Sequence, residues 1–241
     1  MHALPFANAV EAVEAECGWR RHSVDYGNSP SRPKRFFGFS ASSAGGADMR
    51  PRIRQVHTVR MSRSSSVAGV LLAAGAGTRF GMPKVLAEHG EWLRKAVDAL
   101  SEGGCGDIVV VLGAAVVDVP APARAVETAD WEDGLSASLR AGLAATDGAD
   151  YVVLHLVDLP DVGPDVIARV LTAARSTSSG LARATYGGRP GHPVVIARRH
   201  VDALIETLHG DEGARTFLAG RADVLAVECG DLATGVDVDV R

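Results

Sequence analysis

The stretch VAGVLLAAGAGTRFGMPK, residues 67–84, constrains the fold more than any other part of the chain. Val67 to Leu72 is an unbroken apolar run, where a strand with one wet face would alternate. It predicts a strand buried on both faces, in a mostly parallel sheet with helices on either side. The run then gives way to Ala73-Ala74-Gly75-Ala76-Gly77, followed by Arg79 and Lys84 with Gly81 and Pro83 between them. A loop so poor in side chains lets a ligand lie against backbone N–H groups, and two cations beside it suit a polyphosphate.

Two well-known glycine loops do not fit. Gly75, Gly77 and Gly81 are spaced G-x-G-x-x-x-G, one residue longer than the dinucleotide fingerprint. Lys84 is followed by Val85, so the hydroxyl that a P-loop offers to magnesium is missing. A net charge of −4 and 5% aromatic content argue against nucleic acid as a partner. No apolar run is long enough to span a bilayer. Cys17, Cys105 and Cys229 form no C-x-x-C pair, so neither a disulfide framework nor a thiolate metal site is expected. A reduced, cytoplasmic setting is the expectation.

Residues 1–62 read differently from the rest. Ser-Pro-Ser-Arg-Pro-Lys-Arg at 29–35 and Ser-Ala-Ser-Ser-Ala-Gly-Gly at 40–46 cannot bury enough apolar surface to offset ordering entropy. The segment is expected to be a disordered extension, or one wrongly assigned if translation starts at Met61. One domain is expected over 66–241. Its elements are helices at 91–100, 133–145, 163–174 and 200–208, and strands at 67–72, 107–112, 124–128, 150–156, 181–186, 193–196 and 222–228. Residues 113–122 are expected to be irregular.

The motif L-A-A-G-x-G-x-R-x-G-x-P-K at 72–84 resembles the signature loop of the nucleotidyltransferases that include the molybdenum cofactor guanylyl- and cytidylyltransferases. The resemblance implies a Rossmann-like three-layer α/β/α sandwich. It also implies a loop at Leu72, Ala73, Ala74, Gly75 and Gly77 that wraps a nucleoside triphosphate, with Arg79 and Lys84 as catalytic residues on its phosphates. Three further segments match. Trp131 to Leu143, W-E-D-G-L-S-A-S-L-R-A-G-L, resembles a stretch lining the nucleotide pocket, which makes Gly134, Ser136 and Ser138 candidate contacts. Two serines in the first turn of a helix are the plain alternative. G-x-x-G-H-P-V at 188–194 and G-D-x-G-A-R at 210–215 resemble the cytidylyltransferase branch, where His192 and Arg215 would border the acceptor. His192 fits equally well as a loop histidine satisfied by carbonyls, and Asp211 could cap the helix that follows it.

The resemblance also implies a magnesium site. Asp158, in D-L-P after a strand, and Asp239, in the closing G-V-D-V-D-V-R, match the family's metal-binding positions, with Asp237 on the same strand face as Asp239. By itself a strand-end Asp before Leu-Pro is a turn residue. Carboxylate oxygens at that edge are nevertheless what a hard cation between phosphates needs. The family's closing helix after this motif is missing here.

The reading is therefore an enzyme that transfers CMP from CTP to the phosphate of molybdopterin or its molybdenum cofactor, releasing pyrophosphate. A transient molybdoenzyme or chaperone partner would suit it. Ala74, where the guanylyltransferase branch carries glycine, favours CTP over GTP. Three alternatives stay open. One is transfer to a different phosphorylated acceptor, or from GTP. Another is an inactive, pterin-binding homologue. The third is a nicotinamide-dependent oxidoreductase, disfavoured by the glycine spacing and by Leu112-Gly113 where an acidic residue would end the second strand.

Overall fold

The computed structural model describes residues 65–146 and 148–239. The expected extension at 1–62 lies outside them. The strands are β1 (Val67–Leu72), β2 (Asp107–Leu112), β3 (Arg124–Glu127), β4 (Tyr151–Leu156), β5 (Leu181–Tyr186), β6 (Arg189–Ala197) and β7 (Leu225–Glu228). The helices are α1 (Glu91–Glu102), α2 (Leu135–Ala144), α3 (Pro164–Ser176), α4 (Val201–Glu206) and α5 (Ala214–Leu218). The strands form one seven-stranded sheet in the order β3-β2-β1-β4-β6-β5-β7. All pairings are parallel except those of β6, which runs antiparallel to β4 and β5.

Each face of the sheet carries its own helical layer, which is why the strands read as continuous apolar runs. Ile108, Val110 and Leu112 of β2 point to the core shared with α1 and α3, where Leu93, Val97, Leu100, Ile167 and Val170 are buried. Val109 and Val111 point to the core shared with α2, α4 and α5, with Leu139, Leu143, Leu204 and Phe217. The molecule is thus a three-layer α/β/α sandwich. The strand order reverses between β1 and β4. In open α/β sheets ligands bind in the crevice outside the carboxyl ends of the strands at such a reversal.

Several boundaries differ from those expected. The 133–145 helix starts only at Leu135, because a short 3₁₀ turn (Trp131–Asp133) ends at Gly134, whose φ is 106°. Asp133 makes no capping hydrogen bond to α2, and Leu135 is exposed while Leu139 and Leu143 are buried. The 193–196 strand starts four residues early at Arg189. Gly187 and Gly188, with φ of 58° and 76°, turn the chain in two residues, so Tyr186 pairs directly with Arg189. Two adjacent positive φ values are the demand of a type I′ hairpin, met here by Gly-Gly. The helix expected over 200–208 is regular only across Val201–Glu206, and β7 starts at Leu225 rather than residue 222. Residues 229–239 form no strand, so Asp237 and Asp239 are carried on an irregular strap instead of a strand face.

Candidate active site

The loop after β1 is stitched to the sheet at its start and open at its tip. The Ala73 N–H donates to the Val111 carbonyl at 3.0 Å, and the Ala74 carbonyl accepts the Ala114 N–H at 3.0 Å. The two methyls are buried in opposite cores. A change of size at position 74 therefore acts through packing under the loop, not as a side chain lining the crevice. Gly75 is exposed, with open space where a Cβ would stand. Among the described residues, the amides of Gly75, Ala76 and Gly77 donate no hydrogen bond, which leaves them for a ligand. At Gly77, φ is 59° and a Cβ would lie 1.9 Å from the Met82 carbonyl oxygen, so any side chain there forces the loop apart. Its own carbonyl accepts the Gly81 N–H at 2.8 Å.

Phe80 anchors the loop from within. It is buried between exposed Arg79 and Gly81, its ring 5.3 Å from that of Trp92 on α1. The sequence reading passed over Phe80, although an aromatic residue amid glycines is the signal of such an anchor. Pro83 then ends the loop and sets Lys84 at the start of a 3₁₀ segment, Lys84–Gly90.

Lys84 is the hub of an ion-pair cluster at the strand reversal. Its Nζ lies 2.8 Å from Asp158 Oδ2 and 2.8 Å from Asp239 Oδ1. Arg79 NH1 lies 3.1 Å from Asp239 Oδ2. Lys84 and Asp158 are mostly shielded, with side-chain exposures of 15% and 18%, whereas Arg79 reaches into solvent at 78%. Burial works to lower the Lys84 pKa, but the bonds from Asp158 and Asp239 together outweigh it and raise the pKa above the ordinary lysine value. The Lys84 bond holds the Asp239 carboxyl below the usual range. Asp158 Oδ1 is buried and has no hydrogen-bond partner among the described residues. An unpaired buried carboxylate oxygen is costly, and beside an open loop it is the donor a divalent cation takes. Asp158 and Asp239 are the two residues here that could hold a metal, although no group of three or more His, Cys, Asp or Glu gathers at one place among the described residues.

The remaining candidates are carried by α2, by β6 and by the turn before α5. Gly134 and Ser136 are covered by the 210–211 turn. The Ser136 N–H donates to the Gly210 carbonyl at 3.0 Å, and a Cβ on Gly134 would be 2.6 Å from Asp211 Oδ1. Ser136 and Ser138 are both buried. Asp211 does not cap α5, whose N-cap is Gly213, and makes no ion pair with Arg215 among the described residues. The carbonyl of His192 accepts the Tyr186 hydroxyl at 2.7 Å. Burial first, and then the neighbouring Arg183, bring the His192 imidazole down to about 4, so it is neutral at physiological pH. Arg183 on β5 donates from Nε to the Gly191 carbonyl at 3.1 Å. Burial and Arg215 lower its own pKa. Arg183 and Arg215 are thus two neighbouring cations beside a neutral His192. A lone arginine inside L-A-R-A-T-Y was the sequence sign of the first.

His155 is fully buried in β4, and both ring nitrogens lack partners among the described residues. Burial brings its pKa down to about 3.

A family model described as the MobA-like NTP transferase domain matches residues 69–225, which include the β1 loop, α2, Asp158 and the 210–215 turn. The chain is a MobA-like NTP transferase. Its sequence is 37% identical over 189 residues to nicotine blue oxidoreductase of Paenarthrobacter nicotinovorans, covering 72% of this chain and 92% of that protein. It is 31% identical over 170 residues to 2-C-methyl-D-erythritol 4-phosphate cytidylyltransferase of Rhodococcus jostii, covering 67% of this chain and 68% of the relative. Among solved structures, Rv0371c of Mycobacterium tuberculosis aligns at 28% identity and TM-score 0.59, over 74% of this chain and 95% of its own. A second structure of Rv0371c, in complex with manganese, aligns at 27% identity and TM-score 0.56, over 72% and 94%. Like other members of its family, this MobA-like NTP transferase has a nucleoside triphosphate as its substrate class. None of its described helices is long and apolar enough to cross a membrane.

Proposed function

We propose that the protein transfers CMP from CTP to the phosphate monoester of molybdopterin or its molybdenum cofactor. One observation carries the reading: Lys84 is held between Asp158 and Asp239 at the mouth of a loop with free amides, where a triphosphate would lie. In the reaction an acceptor phosphate oxygen attacks the α-phosphorus of CTP. The bond from that phosphorus to the oxygen bridging the β-phosphate breaks, and pyrophosphate leaves with the bonding electrons. The acceptor phosphate is already ionised, so no general base is required.

The protein's part is alignment and charge neutralisation. The amides of Gly75, Ala76 and Gly77 hold phosphate oxygens. Lys84 turns its flexible stem from the carboxylates to the α- and β-phosphates, and Arg79 follows the departing pyrophosphate. Asp158 and Asp239 would hold Mg²⁺, which supplies Lewis-acid neutralisation of the phosphate charge when bound. The manganese in Rv0371c and the orphaned Asp158 Oδ1 support a divalent ion here. Neutral His192, with Arg183 and Arg215, supplies donors for the acceptor phosphate. The cytidylyltransferase relatives support CTP, and the 188–194 and 210–215 segments support the pterin acceptor.

The test is pyrophosphate release with molybdopterin and each of CTP, GTP, ATP and UTP in Mg²⁺. Release with CTP alone is the expected result. Release with GTP reassigns the base, and release only with another phosphorylated alcohol reassigns the acceptor. A second reading, an oxidoreductase, is favoured by the 37% identity to nicotine blue oxidoreductase. Oxidation of NADH or NADPH by the purified protein with a quinoid dye as electron acceptor would establish it in place of the first.

A further inference from the structure

The two carboxylates of the cluster stand 81 residues apart in the chain, and only one of them comes just after a strand of the sheet. Asp158 follows β4 directly. Asp239 is carried by the strap 229–239, which has no regular structure. The strap is fixed to the body at discrete points. At its start the Cys229 N–H donates to the Thr185 carbonyl at 2.8 Å, and Arg169 of α3 grips Asp231 with two nitrogens at 2.6 and 2.9 Å. Midway, Gly235 lies against the Tyr186 ring. Close to its end, the Val238 N–H donates to the carbonyl of Asp158 itself at 3.1 Å.

Between these points the β4 loop makes a further contact. Asp161 Oδ2 accepts both the N–H of Thr234, at 2.7 Å, and its hydroxyl, at 2.6 Å. Thr234 Oγ1 in turn accepts the Val236 N–H at 3.4 Å. Asp161 is three residues from Asp158, and Thr234 is five from Asp239. The β4 loop and the strap are therefore tied together at two places, Asp161–Thr234 and Asp158–Val238, and the carboxylates are carried at one end of that pairing. Two charge-assisted hydrogen bonds converging on one oxygen set the register of the segments in a way a single contact does not.

We infer that Asp161 and Thr234 are positioning residues: they form a latch that sets Asp239 opposite Asp158 and so gives the divalent-cation site its spacing. The part of this inference that concerns the metal rests on the proposed function; the part that concerns the strap does not. The proposed reaction gives neither residue a contact with nucleotide, acceptor or metal. A one-residue slip of the strap would carry Asp239 away from Lys84 and bring a side chain onto the Tyr186 ring where Gly235 now lies.

The experiment uses the full chain with Asp161→Ala, Thr234→Val, the double variant and Thr234→Ser, with Asp239→Asn as the reference for the site. Amide exchange at Val238 decides the latch by itself. It is expected to accelerate about tenfold or more in Asp161→Ala and Thr234→Val, to go no faster in the double variant than in either single one, and to return to the wild-type rate in Thr234→Ser. The same two variants are expected to bind Mn²⁺, followed by the electron paramagnetic resonance of the free ion, about tenfold more weakly, the effect of losing a group that orients a ligand. Unchanged Val238 exchange in Asp161→Ala and Thr234→Val overturns the latch. Accelerated exchange with unchanged Mn²⁺ affinity, in a protein where Asp239→Asn does weaken Mn²⁺, overturns its role in the cation site. If Asp239→Asn binds Mn²⁺ as the wild type does, the metal reading fails and the exchange result alone stands for the latch.

Discussion

The loop at 73–83 and the strap at 229–239 meet at Lys84, yet they are built in opposite ways. The loop is local. Its shape follows from Gly77 at positive φ, Gly81 bonded back to Gly77, Pro83 at the exit and Phe80 as an internal anchor, all within eleven residues. The strap has no such internal code. It is held by Arg169, Asp161, Tyr186 and the Asp158 carbonyl, residues from three other elements or loops. The comparison teaches that one half of a site can be written as a motif while the other half exists only once the sheet has formed.

Four measurements would break or sharpen this contrast. The largest effect is expected at the point where the halves meet. Lys84→Ala should cost roughly two to three decades in turnover, the size typical of removing one preorganised stabilising group. Wild-type turnover in that variant would remove the role of Lys84 in both regions. Next, Gly77→Ala should destabilise the protein by about 1–3 kcal/mol, because a non-glycine residue in this backbone region is strained and its methyl meets the Met82 carbonyl. Thermal unfolding measures the loss, and a fully stable Gly77→Ala would mean the loop is not locally determined.

Acid should act on the floor under both regions. His155 is neutral in the fold down to a pH of about 3, whereas the unfolded chain takes up its proton near 6.5. Its contribution to stability is complete above that upper value and is lost as pH falls, by about 2 kcal/mol between pH 6.5 and pH 5. His155→Leu should flatten the dependence of melting temperature on pH across this window, and an equally steep slope in that variant would assign the acid sensitivity elsewhere. Asp239 keeps its charge throughout, since its carboxyl titrates below the usual range. The smallest effect is expected from Arg169→Ala. That ion pair is exposed, so global stability should not move, but amide exchange across 231–235 should rise. A drop in melting temperature would mean the strap is part of the cooperative core.

This division also explains what could be read in the sequence. The buried strands, the helices of both layers and the β1 loop announce themselves through apolar runs, helical spacing and glycine placement. Arg79, Lys84, Asp158 and Asp239 could be matched to a motif, and the fold brings all four together. What could not be read depends on partners distant in the chain. The early start of β6 puts Arg189-Pro190-Gly191-His192 into a strand because a two-residue turn lays them against β5, not because they favour strand. The late start of α2 follows from the 3₁₀ turn that ends at Gly134, where the 210–211 turn leaves no room for a side chain. Arg183, Asp161 and Thr234 gain their importance from neighbours that no local pattern predicts.

The ion pairs of the Lys84 cluster join two positive and two negative side chains, whose charges cancel one another. Seen from several ångströms away the cluster offers little pull on a lone polyanion and little on a lone ion in solution. Under the proposed function the couple of the two is different: its negative end would meet the cations, and its positive end the carboxylates that those cations vacate. Such a crevice would favour a charged visitor that comes already chaperoned by its counter-ion.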